Sequence, residues 1–295
     1  MILLDTNQIM ISSVFAMHGK KINDLTVNEI RHAVLKGVMY YNHRFRNNYG
    51  DMVLCYDSHN YWRTEMFPNY KASRKTKQQS SDINWSHVYK LFDIVKEEIA
   101  DNFKYACVEV PRLEADDVIS VITSEYHEID KILIVSADKD FQQLQKYKSV
   151  DQYSPARKDM LVCENPEEFL IEHTIRGDSS DGIPNVLSDG DTFVTEGKKQ
   201  TIMNAKRYNA ILSKVNDGTI YNSEYACNFK RNEDLINLDK IPSEIKEQVV
   251  AGFKKAVDHS NNVGESRMMD FLVTNKLNSL LQELDKFQHN LEVRN

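Results

Sequence analysis

Apolar runs and helical repeats alternate through the first half of the chain. Four short runs of mainly apolar residues have the character of strands buried between two layers of helices. Between them, apolar residues recur every three or four positions, and Thr26 with Glu29 forms a capping-box signature before the first such repeat. This alternation predicts an α/β domain with a mostly parallel sheet and helices on both faces. The predicted strands cover residues 2–4, 52–56, 105–110 and 132–135, and the predicted helices are centred on residues 30–45, 88–99 and 118–122.

The second half of the chain is mainly helical in pattern. The tripeptide Asn165-Pro166-Glu167 has the order of an N-cap, a proline at the first helical position and an acidic first turn, and Gly177 predicts the end of that helix. We therefore expect an α/β catalytic domain over residues 1–160 and a helical domain over residues 161–295. Further helices are predicted over residues 202–212, 245–257 and 271–287, and residues 213–235 receive no assignment.

The composition is that of a globular protein in a reducing compartment. Of 295 residues, 41% are hydrophobic, and there are only 10 glycines and 6 prolines. No apolar run is long enough to cross a membrane and Asp5 interrupts the apolar start, so we expect neither a membrane span nor a signal peptide. The four cysteines have no zinc spacing and the nine histidines form no array, which favours a cytoplasmic protein without a histidine-based metal site. The net charge of −7 argues against a polyanionic partner.

Carboxylates follow the predicted strands. Asp5 ends the first strand, Asp57 follows the second, and Asp138 and Asp140 follow the fourth. The carboxyl ends of parallel strands line one crevice, where ligands bind. Without cations such acids repel one another, and oxygen ligands suit hard ions, above all Mg²⁺ with Mn²⁺ as a substitute. Two ions about 4 Å apart are a usual device for phosphodiester hydrolysis.

Three more acids follow the third strand, in Glu114-Ala115-Asp116-Asp117. Pro111 separates strand from helix, which puts these acids in the linker and the first helical turn. In a regular helix Glu114 and Asp116 would diverge by about 200°. They can share an ion only if Glu114 lies at or before the helix cap.

Two other interpretations of these acids stay open. A single Asp at a strand end is commonly a turn or helix cap, although agreement across four strands favours a shared site. The alternative chemistry is an aspartyl-phosphate enzyme with an early D-x-D motif. The segment Asp5-Thr6-Asn7 has no second acid at the required position, which lowers that option.

Five motifs occur in an order typical of one family. They are Leu3-Leu4-Asp5-Thr6-Asn7, Tyr56-Asp57, Glu114-Ala115-Asp116-Asp117, Ser136-Ala137-Asp138-Lys139-Asp140 and Gly177-Asp178-Ser179-Ser180-Asp181-Gly182-Ile183-Pro184. In these the chain resembles the flap-endonuclease family, the structure-specific 5′ nucleases, and within it the ribonuclease H branch of T-even phages. The resemblance covers nearly the whole chain. It implies a PIN-like 5′-nuclease domain with an arch near residues 60–85, and a modified helix–three-turn–helix near residues 165–212. The chain departs from the family at Gly182, where Asn is common, and in a longer segment over residues 185–201.

The resemblance implies two Mg²⁺ ions, for which Mn²⁺ can substitute, and a catalytic part for Asp116 and Asp138. The implied ligands of the first ion are Asp5, Asp57, Glu114, Asp116 and Asp138. The implied ligands of the second are Asp140, Asp178 and Asp181, with Asp116 or Asp117 between the two sites. Asp178 and Asp181 can reach the sheet only if the second half of the chain packs over the crevice.

Two basic segments gain a role from the same resemblance. The arch offers cations and aromatic rings to a single-stranded 5′ end, and Arg63 and Lys71 match positions that grip the scissile phosphate. The later segment is expected to hold duplex phosphates. Taken alone, each run can also be a solvated basic loop. The implied nucleic-acid-binding residues are Arg63, Lys71, Arg74, Lys75 and Lys77 in the first segment, and Lys198, Lys199, Lys206 and Arg207 in the second.

The implied function is Mg²⁺-dependent 5′-to-3′ exonuclease and flap endonuclease activity that removes lagging-strand RNA primers in phage DNA replication. The expected substrates are branched, flapped or nicked duplex DNA and RNA-DNA hybrid, cut by a monomer. A single-stranded-DNA-binding protein or a sliding clamp would be the matching protein partner. A PIN-type single-strand ribonuclease and a non-catalytic branched-DNA-binding module are the alternatives.

The assignment of these acids changes the meaning of the net charge. The nine assigned carboxylates are part of the 44 acidic residues, and the remaining 35 face 37 basic residues. The acidic balance therefore no longer argues against nucleic acid. The placement of charge, with basic segments on either side of an acidic pocket, is what governs binding.

Overall fold

One six-stranded sheet lies at the centre of the molecule, in a computed structural model that describes residues 1–17 and 22–287. The strands are β1 (Ile2–Asp5), β2 (Met52–Cys55), β3 (Ala106–Val108), β4 (Ile132–Val135), β5 (Val150–Ser154) and β6 (Asp159–Leu161). Their order is β3-β2-β1-β4-β5-β6, with β6 antiparallel to β5 and the others parallel. The chain adds strands first to one side of β1 and then to the other. The sheet therefore has a topological switch point between β1 and β4.

Helices cover both faces of this sheet and make up most of the second half. The α-helices are α1 (Thr6–Phe15), α2 (Val27–Tyr49), α3 (Arg63–Met66), α4 (Ala72–Gln79), α5 (Trp85–Asn102), α6 (Ala115–Tyr126), α7 (Pro166–Arg176), α8 (Ala205–Asn216), α9 (Ala226–Ile236), α10 (Ser243–Asn261), α11 (Glu265–Thr274) and α12 (Asn278–Leu281). Short 3₁₀ helices cover Ile22–Asp24, Lys139–Lys146, Ile220–Asn222, Leu238–Lys240 and Leu284–Phe287.

Alternate residues of each inner strand enter different hydrophobic clusters. Ile2 and Leu4 of β1 belong to the cluster that includes residues of α1, α2 and α5, whereas Leu3 belongs to the cluster with α6 and α10. Because both of their faces are buried, β1, β2 and β4 are mainly apolar runs in the sequence. The predicted fold class is confirmed: a mostly parallel sheet lies between helices, and a helical second half follows.

Local capping signals set the ends of two helices as predicted. α2 begins at a complete capping box, in which Thr26 and Glu29 each bond the other's backbone amide. α7 begins at Asn165, whose side chain accepts from the Glu168 amide, and Pro166 takes the first position. Gly177 ends α7 at a φ of +69°, a conformation that glycine adopts without a steric penalty.

Two strands are absent from the sequence prediction. β5 contains Asp151 and Gln152, and β6 lies on the exposed edge, so neither is an apolar run. Gln152 is fully buried, and its amide donates to the carbonyls of Ser136 (3.1 Å) and Asp138 (2.6 Å). This polar strand residue therefore holds the loop that follows β4, where predicted site residues lie.

The predicted single helix over residues 271–287 is wrong. α11 ends at Thr274, Lys276 adopts a left-handed φ of +55°, and the Leu277 amide donates to the Leu272 carbonyl. This is the Schellman geometry that terminates helices. The apolar residues behind the prediction still pack, but from three short elements in place of one. The unassigned segment 213–235 contains most of α9, and α8 starts three residues later than predicted.

The second half packs back onto the first. Val249 and Phe253 of α10 enter the cluster beneath β3 and α6, and Leu272 and Phe287 enter the cluster beneath α2 and α5. The domain boundary near residue 160 stays a prediction. So does the helix–three-turn–helix, because residues 177–204 separate α7 from α8. No helix in the described part of the chain has the length and apolar character to span a bilayer.

The C-terminal 3₁₀ helix should contribute measurably to stability. Phe287 is 2% exposed and packs 5.4 Å from the Phe103 ring. We expect Phe287→Ala to lower the free energy of unfolding by about 3–4 kcal/mol, because it leaves a cavity in the core. Phe15→Ala is the matched control, since Phe15 is 51% exposed and its loss should cost under about 1 kcal/mol. Denaturant unfolding measures both, and equal effects would contradict this packing role.

Candidate active site

The carboxyl edge of the sheet collects the predicted acids at the switch point. Asp5 ends β1 and caps α1, accepting from the Gln8 amide (3.1 Å) and the Ser136 hydroxyl (2.9 Å). Asp57, two residues beyond β2, accepts from the Ala115 amide (2.8 Å) and the Asn7 side chain (3.0 Å). These bonds join the ends of four strands, β1 to β4, because Ser136 follows β4 and Ala115 opens the helix after β3.

Glu114 lies at the helix cap, the condition under which it can share an ion with Asp116. It is the N-cap residue of α6 in extended conformation, and its capping box with Asp117 is complete. Asp116 lies in the first turn of α6, and its pKa is raised well above the usual value by burial and by the nearby charge of Asp138. Asp138 caps the 3₁₀ helix that follows β4 and accepts from the Asp140 amide at 2.9 Å.

Burial and mutual repulsion raise the pKa values of the acids on this edge. Burial first, and then the charge of Asp57, raises the pKa of Asp5 to about 7. Burial and the charge of Asp140 raise the pKa of Asp138 to about 6. Burial also raises the pKa of Asp57. An added cation would lie among these acids and offset the charge that they oppose in one another.

Glu114 is surrounded by donors from the segment between β2 and α4. Burial alone would raise its pKa, but Lys71 and Arg63 hold the pKa of Glu114 below its usual value. Lys71 pairs with Glu114 and lies 3.5 Å from Asp181. The Tyr70 hydroxyl lies between the same two carboxylates, at 2.9 and 3.1 Å, with one proton to donate.

Arg63 and Asp117 lie in the protein interior. Arg63 is 3% exposed, and its guanidinium contacts Glu114 (3.1 Å), Asp117 (2.7 Å) and the Leu235 carbonyl (3.1 Å). Asp117 is fully buried and also accepts from the Trp62 indole (3.1 Å). Both residues therefore hold Glu114 in place from the interior of the protein.

The three acids expected at the second ion divide between two groups. Asp140 and Asp178 both face the His173 Nε2 atom, at 2.9 and 3.5 Å, and the three donor atoms lie within 4.8 Å of one another. Such a group can hold a metal ion. Asp181 instead pairs with Arg74 at 2.6 Å, beside Lys71. The second half does pack over the crevice, as these contacts require.

His173 is the site residue that sequence reasoning missed. A lone histidine on a helix is unremarkable, and neither acid that it contacts is its neighbour in the chain. Its place in the last turn of α7, directly before the Gly177 to Pro184 loop, is the signal that could have suggested it. Asp178 is also held by the Ser180 hydroxyl (2.5 Å) and by Lys139 (2.9 Å), and these bonds lower the pKa of Asp178 to about 2 despite its burial.

The loop carrying Asp178 and Asp181 docks on the base of the predicted arch through the backbone. The Lys71 amide donates to the Asp181 carbonyl at 2.8 Å, and Lys71 itself has a left-handed φ of +54°. Gly182 has a φ of +77°, and a Cβ atom there would lie 2.8 Å from the Asn69 carbonyl oxygen. The close approach explains the glycine, because a side chain would push the loop away from Lys71.

The remaining basic residues differ in their exposure and in their ion pairs. Arg74 is half-exposed on α4, where Lys75 and Lys77 also lie, and the side chains of those two lysines are outside the described part. In the second segment Lys199, Lys206 and Arg207 are exposed. Lys198 pairs with Asp189 and Asp191, acids that precede the basic stretch in the chain. Its charge is partly neutralised by that loop.

The donor set fits hard divalent cations. Asp5, Asp57, Glu114, Asp116 and Asp138 offer only oxygen atoms, the ligands that Mg²⁺ and Mn²⁺ prefer. Because these buried carboxylates repel one another, a cation bound among them would lower the free energy of their charged forms. Divalent cations held by such carboxylates can polarise a phosphate group and activate a water molecule.

Comparison with known proteins identifies the family. Residues 1–171 match the model of the 5′-3′ exonuclease N-terminal resolvase-like domain. The chain belongs to the 5′-3′ exonuclease family. Residues 165–287 match the model of the C-terminal part of phage T4 ribonuclease H. This member of the 5′-3′ exonuclease family is therefore a nuclease that acts by hydrolysis, and the family inferred from the sequence motifs is confirmed.

Individual members of the 5′-3′ exonuclease family resemble this chain in sequence, and solved structures resemble it in fold. Ribonuclease H of Enterobacteria phage T4 is 28% identical over 257 residues, 84% of each chain. The exonuclease of Escherichia phage T7 is 29% identical over 176 residues, about half of each chain. Two structures of the bacteriophage T5 flap endonuclease, one with metal ions and one with DNA and metal ions, match at a TM-score of 0.62 and 17% identity. They cover 88% of this chain and nearly all of their own, and show that the fold is that of a PIN-like 5′ nuclease.

The close approach at Gly182 should matter for the nuclease reaction as well as for stability. We expect Gly182→Ala to lower the cleavage rate at least about tenfold, because the loop must move away from Lys71. Gly218→Ala is the matched control, since Gly218 has a similar φ of +74° but open space around it. It should lose about 1 kcal/mol of stability and keep its rate. Equal rates in the two variants would contradict the docking role.

The raised pKa of Asp5 predicts a stability that depends on pH in cation-free protein. A carboxyl whose pKa rises from 3.8 to about 7 on folding favours the folded state below pH 3.8, and this contribution is lost as pH rises through 7. We expect unfolding free energy to fall by up to about 3 kcal/mol between pH 5 and 8, because most of the two pH units between 5 and the folded pKa count at about 1.4 kcal/mol each. Asp5→Asn should flatten this profile. Thermal melts in chelator measure it, and a wild-type profile that is flat would contradict the shift.

Proposed function

We propose that this nuclease is a Mg²⁺-dependent 5′-to-3′ exonuclease and flap endonuclease that uses two cations. The observation that carries the proposal is the meeting of acids from four strand ends around Glu114 as a helix cap, with Lys71 beside it. Carboxylates alone would repel a phosphodiester. Carboxylates that hold cations attract it, and they place its scissile phosphate beside an ammonium group.

We propose different roles for the nine acids, in binding the two cations and in positioning another acid. Asp5, Asp57, Glu114, Asp116 and Asp138 would hold the first cation, and Asp140, Asp178 and Asp181 the second. When bound, such ions lower the pKa of a water molecule and neutralise charge that develops on the phosphate. Asp116 and Asp138 would take the catalytic part, and charge links them to both groups: Asp138 raises the pKa of Asp116, and Asp140 and Asp181 of the second group raise the pKa of Asp138. Asp117 would act by fixing Glu114 through the capping box.

Lys71 is the proposed phosphate contact, and Arg63 its support. The Lys71 ammonium lies between Glu114 and Asp181, so a phosphate that enters there meets a positive charge held in place. Arg63 is buried against Glu114 and Asp117, and we assign it a positioning role behind the acids. Arg74, Lys75 and Lys77 on α4 would then guide the single-stranded 5′ end.

The proposed substrates are flapped, nicked and branched duplex DNA and RNA-DNA hybrid. A flap endonuclease of similar fold has been solved with DNA and metal ions, which supports a duplex beside this crevice. Likeness to a phage ribonuclease H supports removal of RNA primers during phage replication. Lys199, Lys206 and Arg207 are exposed for duplex phosphates, whereas Lys198 would first have to leave Asp189 and Asp191.

The remaining proposals concern setting and partners. We propose a monomer in the host cytoplasm, with a single-stranded-DNA-binding protein or sliding clamp as a partner in replication. The PIN-type ribonuclease alternative is disfavoured, because the match to the T4 ribonuclease H C-terminal model extends to residue 287. A binding module without chemistry is disfavoured by the presence of every expected acid.

Asp138→Asn tests the two-cation proposal. We expect Mg²⁺-dependent cleavage of a 5′-labelled flap, nicked duplex and RNA-primed duplex to fall at least about a hundredfold. Affinity for the same substrates should stay or rise, because one repulsive charge next to the phosphate is removed. The matched control is Asp258→Asn, an exposed acid on α10, which should keep both rate and affinity.

Three results would count against the proposal. Unchanged turnover in Asp138→Asn would overturn the assignment of cations to this group. Cleavage that starts from the 3′ end would overturn the polarity. Internal cuts in free single-stranded RNA, with flaps left intact, would favour the PIN-type alternative.

A further inference from the structure

His173 places an imidazole nitrogen between two carboxylates of the crevice. Its Nε2 atom lies 2.9 Å from Asp140 Oδ1 and 3.5 Å from Asp178 Oδ2. The histidine is only 5% exposed, and it reaches the crevice from α7, where the Phe169 ring packs 5.6 Å from its own. Packing against Phe169 within α7 therefore helps to hold the imidazole in this position.

These distances match the spacing of ligands around one ion. Six ligands about 2.1 Å from an octahedral ion place neighbouring donor atoms about 3.0 Å apart. The distances from Nε2 to the two carboxylate oxygens, 2.9 and 3.5 Å, lie on either side of that value. The three donor atoms fit within 4.8 Å, so a small ion can reach all of them with little side-chain movement.

Nitrogen changes which cation such a site prefers. Carboxylates and water suit Mg²⁺, whereas imidazole suits first-row transition metals, whose affinities for nitrogen rise along the series. We propose that His173 is a ligand of the second cation, with Asp140 and Asp178, and that it makes this site select Mn²⁺, Co²⁺ or Zn²⁺ over Mg²⁺. The inference deepens the proposed function and rests on it, because it takes Asp140 and Asp178 as cation ligands.

Two alternatives compete with metal binding by His173: an ammonium group that could occupy the site, and a purely positioning role for the histidine. Lys139 contacts Asp178 at 2.9 Å, but its side chain is half-exposed, so its ammonium can move to solvent when an ion enters. His173 could also act only as a hydrogen-bond donor that positions Asp140. In that role its Nε2 atom keeps its proton and never bonds the metal.

Cobalt binding without DNA measures the first part of the proposal. We expect the visible absorption of Co²⁺ to titrate a site whose affinity falls at least about tenfold in His173→Gln, while Mg²⁺ affinity by competition changes less than about threefold. His259→Gln is the matched control, because His259 is more than half exposed on α10 and reports adventitious histidine binding. Equal Co²⁺ affinity in wild type and His173→Gln would overturn the proposal.

¹⁵N NMR distinguishes a His173 that binds the metal from a His173 that only positions Asp140. In wild-type protein labelled with ¹⁵N-histidine, Zn²⁺ should shift the Nε2 resonance of His173 and remove its proton. An Nε2 that keeps its proton at saturating Zn²⁺ would overturn the proposal, and this measurement decides even if His173→Gln does not fold. Wild-type cleavage in Mg²⁺ is measured in parallel. Its absence would contradict the proposed function, whereas its presence with an unshifted Nε2 would overturn the role of His173 alone.

Discussion

The structure depends on keeping carboxylates close together that would otherwise move apart. Asp5, Asp57, Asp116 and Asp138 lie on one buried edge, and burial and repulsion raise the pKa of each. Such crowding lowers stability, and a surface loop would relieve it by moving. Here the acids lie at the ends of strands packed on both faces or at the start of the helices that follow them, so they cannot separate without disrupting the core. The sheet thus preserves a site for positive charge.

The same constraint explains the network around Glu114. This carboxylate lies at a helix cap, and three donors reach it from the segment after β2: Arg63, Tyr70 and Lys71. All three also contact a second acid, since Arg63 reaches Asp117, and Tyr70 and Lys71 reach Asp181 in the Gly177 to Pro184 loop. The predicted arch, the sheet edge and the Gly177 to Pro184 loop are therefore held by shared charges. A structural change in any one of these three parts should therefore displace the other two.

The second half contributes to both stability and chemistry. Its helices close hydrophobic clusters on both faces of the sheet, and α7 carries His173 to the crevice. One half of the chain therefore builds most of the acidic edge, and the other half completes it. That division fits a family in which separate models match the two halves, joined near residues 165–171.

The sequence by itself determined strands β1 to β4, six of the twelve described α-helices and the acids that follow those strands. Those features depend on local apolar periodicity, capping residues and the rule that parallel strands end at one edge. Only the tertiary structure decided which charges meet. It buried Arg63 and Asp117 behind Glu114, placed His173 between Asp140 and Asp178, and paired Lys198 with acids from an earlier loop. It also revealed β5, whose polar Gln152 is buried because its hydrogen bonds are satisfied. Which polar side chains are buried, and which charges pair, depends on neighbours in space that the apolar and capping patterns along the chain do not record.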